Sequence, residues 1–470
     1  MRSTKRHSKV SKTSLLLLAI FVLALAIRLV PIFTHNHPIG VDAYYHFRQA
    51  ESFKSGYDAF DELSFGGRPY VYQPTFHFFM AALSVITSLP VEVVAPIVIT
   101  LLGSLVVVVV FFITRLISKN DFASLLAAAF LAVMPVFIWK TASNTLLTSV
   151  DMFLLSLAIL FLMKREKTKY LVTASVLFLF SPMVGLLSMV LNVPYLKKKF
   201  GKHDYAWILF MVIFIVFSLQ FFTAVEKVYI SKDIPSEMQS LLTEDIGITD
   251  YFFRLNAFVI GFGVFGLYMM RKHLKGVLPL ILILSVMLVS LVSGLLETDR
   301  ALVYLALPLV MFSGIGAVEL AKKRKYAWVV MIPILIASAF WGISSLRSLE
   351  WSAIPDSEYS ALEWLRSNSP ENSTILATPV EGHWVAYIGD RKNVIDTHLL
   401  GAVNFTERFD DVMTIYRTDD QSIRNSLMRK YNASYALYSD RFARLGFSID
   451  KFSGYQPVYQ KGFTVVFKVA

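Results

Sequence analysis

Residues 74–90 read PTFHFFMAALSVITSLP, an apolar run bracketed by prolines, and whether it crosses a membrane decides the topology of everything that follows. A spanning helix needs roughly 20 apolar residues, and this run falls short of that. Around it lie longer apolar runs at 14–33, 94–115, 122–139, 146–163, 169–181, 183–196, 204–224, 252–270, 277–296, 301–320 and 326–346. The basic residues gather in the short gaps between them, at 2–12, Arg115/Lys119, Lys164–Lys169, Lys197–Lys202, Arg271–Lys275 and Lys322–Lys325. Basic clusters mark cytoplasmic loops. If 74–90 does not cross, all of these clusters share one side; if it crosses, every later cluster falls on the wrong side. The sequence therefore predicts eleven spans, with 74–90 at the outer surface.

Composition agrees. The chain has 470 residues, is 55% hydrophobic and only 17% charged, against about 25% charged in ordinary soluble domains. The net charge of +11 comes from loop clusters of a multi-pass membrane protein, so no nucleic-acid partner is expected. Without cysteine, disulfides, thiolate metal sites and a thiol nucleophile are excluded. The basic N-terminus precedes an apolar stretch too long for a signal-peptide core, which reads as a retained first span. The N-terminus is expected in the cytoplasm and the tail outside the cell membrane. Residues 1–346 form the multi-span part, with a first outer loop at 34–93 and a long one at 225–251. Residues 347–470 read as a small extracytoplasmic α/β domain. Its expected elements are helices at Glu358–Ser367 and Gln421–Lys430 and strands at Thr374–Thr378, Ser434–Tyr438 and Phe463–Val469. The fold class is thus mainly α, a polytopic helical membrane protein with a small α/β tail. The sequons at Asn372, Asn404 and Asn432 all fall in that tail, in keeping with an external location.

Four outer segments carry the candidate chemistry. Just past the first span stands Val41-Asp42-Ala43-Tyr44-Tyr45-His46-Phe47-Arg48, and Tyr44–Glu51 can form a helix lying on the surface. Such residues also populate an interfacial belt. Asp42, Lys140, Glu244 and Arg300 come from four separate outer segments near span ends. Converging carboxylates suit a hard cation such as Mg²⁺ or Mn²⁺, or a general base; basic residues at that level suit a phosphate leaving group. His35, His37, His77 and His398 are scattered and read as interfacial or surface residues.

These motifs, in order, resemble the catalytic subunit of oligosaccharyltransferase, a membrane glycosyltransferase of the GT-C superfold. The VDAYYHFR stretch is similar to that family's acidic first-loop motif. The similarity continues through Gly67-Arg68-Pro69, Tyr72-Gln73-Pro74, Ser124–Phe130 and Met134-Pro135. It extends to Leu241-Leu242-Thr243-Glu244, to Asp299-Arg300-Ala301-Leu302-Val303-Tyr304, and in the tail to Ala361–Arg366 and Tyr387–Arg391. The resemblance implies a glycan donor linked to a polyprenyl or dolichyl phosphate. It implies Asp42 and Glu244 as catalytic residues and metal ligands, and Arg300, with Lys140, facing the lipid phosphate. Arg48, His46, His383 and Trp384 are the further candidates for substrate binding. Lipid-linked glycan, membrane lipids and an acceptor protein or other acceptor are the implied partners.

Two segments depart from the family pattern. Where it carries a second acidic pair, this chain has Lys140–Ser149, with Leu147 and Ser149 at the acidic positions; Asp151, about one turn deeper, is the substitute ligand or a packed intramembrane residue. Where the family carries WWDYG, the tail reads Thr378-Pro379-Val380-Glu381-Gly382, then His383 and Trp384. A sparse ligand set predicts weak or absent metal dependence, and the altered signature predicts that sequons are not selected in the family's way. Two rival functions follow. One is a GT-C enzyme with a non-sequon acceptor and Asp42 as a metal-free base; the other is a non-catalytic paralogue that binds lipid-linked glycan.

Overall fold

A computed structural model describes residues 11–469 apart from 57–59, 71–72, 143–145, 193–247, 294–297, 324–326, 400, 403 and 445. The expected span at 204–224, Asn144, Glu244 and most of the loop 225–251 lie outside the described residues. The described residues of Met1–Thr34, Pro96–Lys202 and Ile246–Glu350 form one compact unit, and those of His35–Ala95 and Trp351–Ala470 a second. The second unit thus joins most of the first outer loop, including the helix Thr75–Thr87 from the run 74–90, to the tail.

The first unit is helical. Among the described residues, Lys12–Thr34, Val91–Ser118 and Thr298–Lys322 are long and apolar enough to cross a membrane singly. Two expected spans are broken instead of straight. The run 122–139 is Asp121–Ala132 and Pro135–Thr141, bent by 60°, and 252–270 is Thr249–Leu255 and Ala257–Leu274, bent by 78°. Counting each bent pair as one span gives up to five; the helices Leu147–Met163, Leu278–Ser293 and Met331–Arg347 are shorter than the expected spans.

The first break has a local cause. Pro135 brings no backbone N–H, so the turn before it loses a helical hydrogen bond. Backbone groups freed inside an apolar layer need new partners. Arg28, fully buried in the first helix, supplies them. Its guanidinium donates to the Ala132 carbonyl at 3.2 Å and to Thr141 Oγ1 at 2.7 Å, while lying 4.6 Å from the centre of the Phe137 ring.

Helices Ala257–Met269 and Thr298–Lys323 meet backbone to backbone. A Cβ on Gly266 would stand 1.9 Å from the Phe312 carbonyl oxygen, and one on Gly316 2.1 Å from that of Phe262. Small residues permit this approach, on which apolar helices rely when lipid removes the hydrophobic drive between them.

The second unit contains a two-stranded ladder, β1 Phe60–Asp61 with β2 Arg68–Pro69, and a five-stranded sheet of β3 Thr374–Leu376, β4 Lys392–Asn393, β5 Ala433–Tyr438, β6 Gln456–Lys461 and β7 Thr464–Lys468 in the order β4-β3-β5-β7-β6. β3 pairs in parallel with β4 and β5, whereas β7 pairs antiparallel with β5 and β6. Helices Phe405–Arg417 and Gln421–Lys430 bring Val412, Ile415, Tyr416 and Met428 into its core with Leu376, Ala436 and Phe467. The expected tail elements are present, and Gln421–Lys430 has the expected bounds. The helices Pro379–Tyr387, Phe405–Arg417 and Asp440–Arg444 and the strands β4 and β6 are additional.

The first of these additions fills the segment that departs from the family signature. Thr378 caps it, accepting from the Glu381 amide, while the Glu381 carboxylate accepts from the Thr378 amide at 3.1 Å; Pro379 occupies the first turn. A reciprocal cap with proline just inside is a strong helix start.

The helix that begins at the quoted first-loop motif runs from Val41 to Ser55 and ends at Gly56, where φ is 104°. It does not lie on a surface as expected. Ala43, Tyr44, Tyr45, Phe47, Gln49 and Ala50 are buried, because the helix packs against Pro379–Tyr387. Tyr44 meets Trp384 edge-on at 6.2 Å and Tyr387 at 5.8 Å, and Tyr387 lies 5.9 Å from Phe47.

Candidate active site

Within VDAYYHFR, Asp42 alone is classed as exposed, with its neighbours buried or partly so. The carboxylate sits in the first helical turn, where the helix dipole favours negative charge. Thr397 Oγ1 donates to its Oδ1 at 3.3 Å. Thr397 Oγ1 in turn stands 3.0 Å from His383 Nε2, and His383 Nδ1 lies 3.7 Å from Asp396 Oδ2. The Asp42 seat is therefore built from the first loop and the tail together.

The other residues of the motif hold that seat. Arg48 grips Asp61 through both guanidinium nitrogens, with the second contact at 2.6 Å, and Gln49 adds a bond to Asp61 at 3.3 Å. Arg68 reaches both Asp61, at 4.0 Å, and Asp396, at 3.3 Å. Burial alone would raise the Asp396 carboxyl, but the charge of Arg68 and the Ser64 hydrogen bond outweigh it and hold the group below the usual carboxylate range. His383 is fully buried, and burial lowers its pKa although Asp396 and Asp42 oppose the shift. Tyr45 stacks on His398 at 4.2 Å and faces His383 at 5.6 Å.

His46 Nδ1 lies 2.7 Å from His77 Nε2, and Tyr70 bonds the other ring nitrogen of His77. His77 is wholly buried, contrary to its expected surface place. Burial, then the neighbouring His46, pushes its pKa well down. His398 too is partly enclosed rather than superficial. Trp384 is fully buried, with the Arg441 guanidinium 4.6 Å from its ring. Glu381 is likewise buried, bonded to Thr378 and Ser439.

Lys140, Asp151 and Arg300 belong to the helical unit. Lys140, only 4% exposed, pairs with Asp299 at 3.5 Å, and Arg254 pairs with the same carboxylate. Arg300 follows in the first turn of its helix and is exposed. Asp151 Oδ2 accepts from Tyr304 Oη at 3.3 Å. Lys140 and Arg254 thus share the carboxylate of Asp299, the residue that precedes Arg300. Glu244 lies outside the described residues. Among the described residues no three His, Asp or Glu side chains gather as a metal site requires. Thr397, Asp396, Arg68 and Arg254 are the site residues that sequence reading missed. Arg68 was quoted only as part of a motif, and the others carry no local signal.

Residues 14–182 match the family described as Oligosaccharyl transferase STT3, N-terminal. No curated protein sequence matches the chain. Among solved structures, the oligosaccharyltransferase of Archaeoglobus fulgidus in complex with Zn and sulfate is similar at 13% identity and a TM-score of 0.64, over 96% of this chain and 73% of that one. The same organism's oligosaccharyltransferase AglB, with an inhibitory peptide and a dolichol-phosphate, gives 11% identity and a TM-score of 0.60 over 97% and 74%. ArnT from Cupriavidus metallidurans, bound to undecaprenyl phosphate, gives 14% identity and a TM-score of 0.56 over 98% and 99%. The chain is a multi-pass membrane protein that shares its fold with these oligosaccharyltransferase and ArnT structures, and its residues 14–182 match the oligosaccharyltransferase STT3 N-terminal family.

Proposed function

We propose that this protein is a membrane glycosyltransferase that moves a glycan from a polyprenyl- or dolichyl-phosphate-linked donor to an acceptor, with Asp42 as the group that orients or deprotonates the acceptor nucleophile. The observation that carries the reading is the exposure of Asp42 in a motif whose other residues are buried or half-buried. A carboxylate at the start of a helix anchored by packed aromatics, by the half-buried Arg48 and by the buried Arg68 is a presented group. Arg300, with Lys140 and Arg254 nearby, supplies positive charge for the departing phosphate, where charge develops in the transition state. Glu244 is the second acidic residue the resemblance implies. The enzyme would lie in the cell membrane with its N-terminus cytoplasmic and its 347–470 domain outside. Mn²⁺ or Mg²⁺ is the cation the resemblance implies; among the described residues no three carboxylate or imidazole side chains gather to hold it. The similar oligosaccharyltransferase and ArnT structures, with dolichol-phosphate and undecaprenyl phosphate, support a lipid-linked donor.

One observation favours a non-sequon acceptor. Glu381, in the segment that the resemblance sets against the family's WWDYG signature, and His383 and Trp384, which follow it, are each 0% exposed. None is presented to a peptide. The deciding experiment reconstitutes the full-length protein with dolichyl- and undecaprenyl-phosphate-linked glycans. An Asn-x-Thr peptide, its +2 alanine version and lipid or sugar acceptors are compared, with and without Mn²⁺. Transfer that is lost by at least about a hundredfold in Asp42→Asn supports the reading. Unchanged transfer in that variant, or donor binding without transfer to any acceptor, overturns it. A preference for Thr at +2 above about tenfold, near 1.4 kcal/mol, returns sequon recognition to the protein.

A further inference from the structure

Asp396 already has its donors. It accepts from Ser64, from Arg68 at 3.3 Å, from the His398 amide at 2.9 Å and from Asn393 Nδ2 at 3.3 Å. His383 Nδ1, at 3.7 Å, stands beyond hydrogen-bond reach of it. The other ring nitrogen of His383 has a nearer partner, Thr397 Oγ1 at 3.0 Å. Proton counting then fixes the direction of the chain. An ionised carboxylate only accepts, so the single hydroxyl proton of Thr397 goes to Asp42 Oδ1. With that proton used, Thr397 accepts from His383, which must carry its proton on Nε2. Burial favours the neutral imidazole this requires.

We infer that Thr397 and His383 are positioning residues for Asp42: His383 Nε2–H donates to Thr397, and the Thr397 hydroxyl donates to Asp42 Oδ1, leaving Oδ2 turned to the acceptor. The inference rests on the reading of Asp42 given above. It assigns a role to a threonine in the connection between β4 and the helix Phe405–Arg417, and it moves His383 from substrate contact to support. The chain of contacts joins the first-loop helix to the tail, so the tail takes part in chemistry that a sequence motif locates elsewhere. A misdirected carboxylate slows the chemical step without weakening the hold on the donor, and this separates positioning from folding.

The test uses the full-length protein in lipid nanodiscs, with Thr397→Val, Thr397→Ser, His383→Phe, His383→Gln and Asp42→Asn. Donor transfer is measured for kcat and KM, and thermal melting is followed separately. Thr397→Val and His383→Phe are expected to lower kcat about tenfold or more with the donor KM within about twofold. Thr397→Ser, which keeps the hydroxyl, and His383→Gln, whose amide nitrogen reaches the Nε2 position, recover most of that loss. In melting, Thr397→Val and Asp42→Asn are expected to be non-additive, as residues in contact are. If Asp42→Asn abolishes transfer while Thr397→Val leaves kcat unchanged, the positioning role falls and the catalytic reading stands. If Asp42→Asn leaves transfer intact, or the wild-type protein transfers to no acceptor, the catalytic reading falls. Strict additivity in melting overturns the contact whatever the activity.

Discussion

At the scale of single residues, one charge is displayed and the charges around it are committed. Arg48 was a candidate substrate ligand, yet both its guanidinium contacts go to Asp61, which is 6% exposed. Removing one member of a buried pair leaves an uncompensated charge, typically costing 3–5 kcal/mol. Arg48→Met is therefore expected to destabilise the protein by about 3 kcal/mol, with Arg68 and Gln49 retained around Asp61. Chemical denaturation of the full-length protein measures this, and pairing it with Asp61→Asn should recover part of the loss. A second prediction concerns pH. Burial, then the Glu381 carboxylate, pushes Glu358 up to about 8 from an ordinary 4.5, against the opposing charge of Arg441. A carboxyl raised on folding favours the protonated native state. Its contribution is complete below pH 4.5 and is lost as pH rises through about 8. Melting temperature should accordingly fall across that window, and Glu358→Gln should flatten the fall. An unchanged slope in that variant would show that Glu358 is not the titrating group.

At the scale of elements, the sequence marks helices well but not their breaks. The Met134-Pro135 step was legible as a motif. That it bends two helices by 60° depends on Arg28, which sits far away in the chain and provides the donors that the break needs. Close helix packing also has a sequence trace, in Gly266 and Gly316, but glycine alone does not say which neighbour approaches. Because a Cβ on Gly266 would stand 1.9 Å from Phe312 O, Gly266→Val forces the two helices apart. Overpacking of this kind costs about 1–3 kcal/mol or more. Melting in detergent should show a clear loss, whereas Gly261→Ala, whose Cβ meets nothing within 4 Å, should be mild. The helix at Pro379–Tyr387 could have been found from sequence: Thr378-Pro379-Val380-Glu381 is a capping box with proline at the first position.

At the scale of the molecule, charge distribution gives the remaining prediction. With 74–90 not crossing, reporter fusions after Lys119, Lys169 and Lys275 should all report cytoplasm, and one at the end of the tail should report the opposite side. Lys119, Lys169 and Lys275 all reporting outside would put the helix Thr75–Thr87 across the membrane.

By itself the sequence determined the fold class, the apolar helices, the position of Asp42 and the likeness to oligosaccharyltransferase catalytic subunits. Those properties are local: run length, charge between runs, and a motif of neighbouring residues. Only the tertiary structure decided that the motif's aromatics face Trp384 and Tyr387, and that Arg68 serves Asp61 and Asp396 at once. It alone set Thr397 between His383 and Asp42. Long-range pairing of polar groups depends on which surfaces the core brings together, and burial then enforces the pairing, since an unmatched polar group inside costs about 1–3 kcal/mol. No window of sequence holds both partners of such a bond when 355 positions separate Asp42 from Thr397.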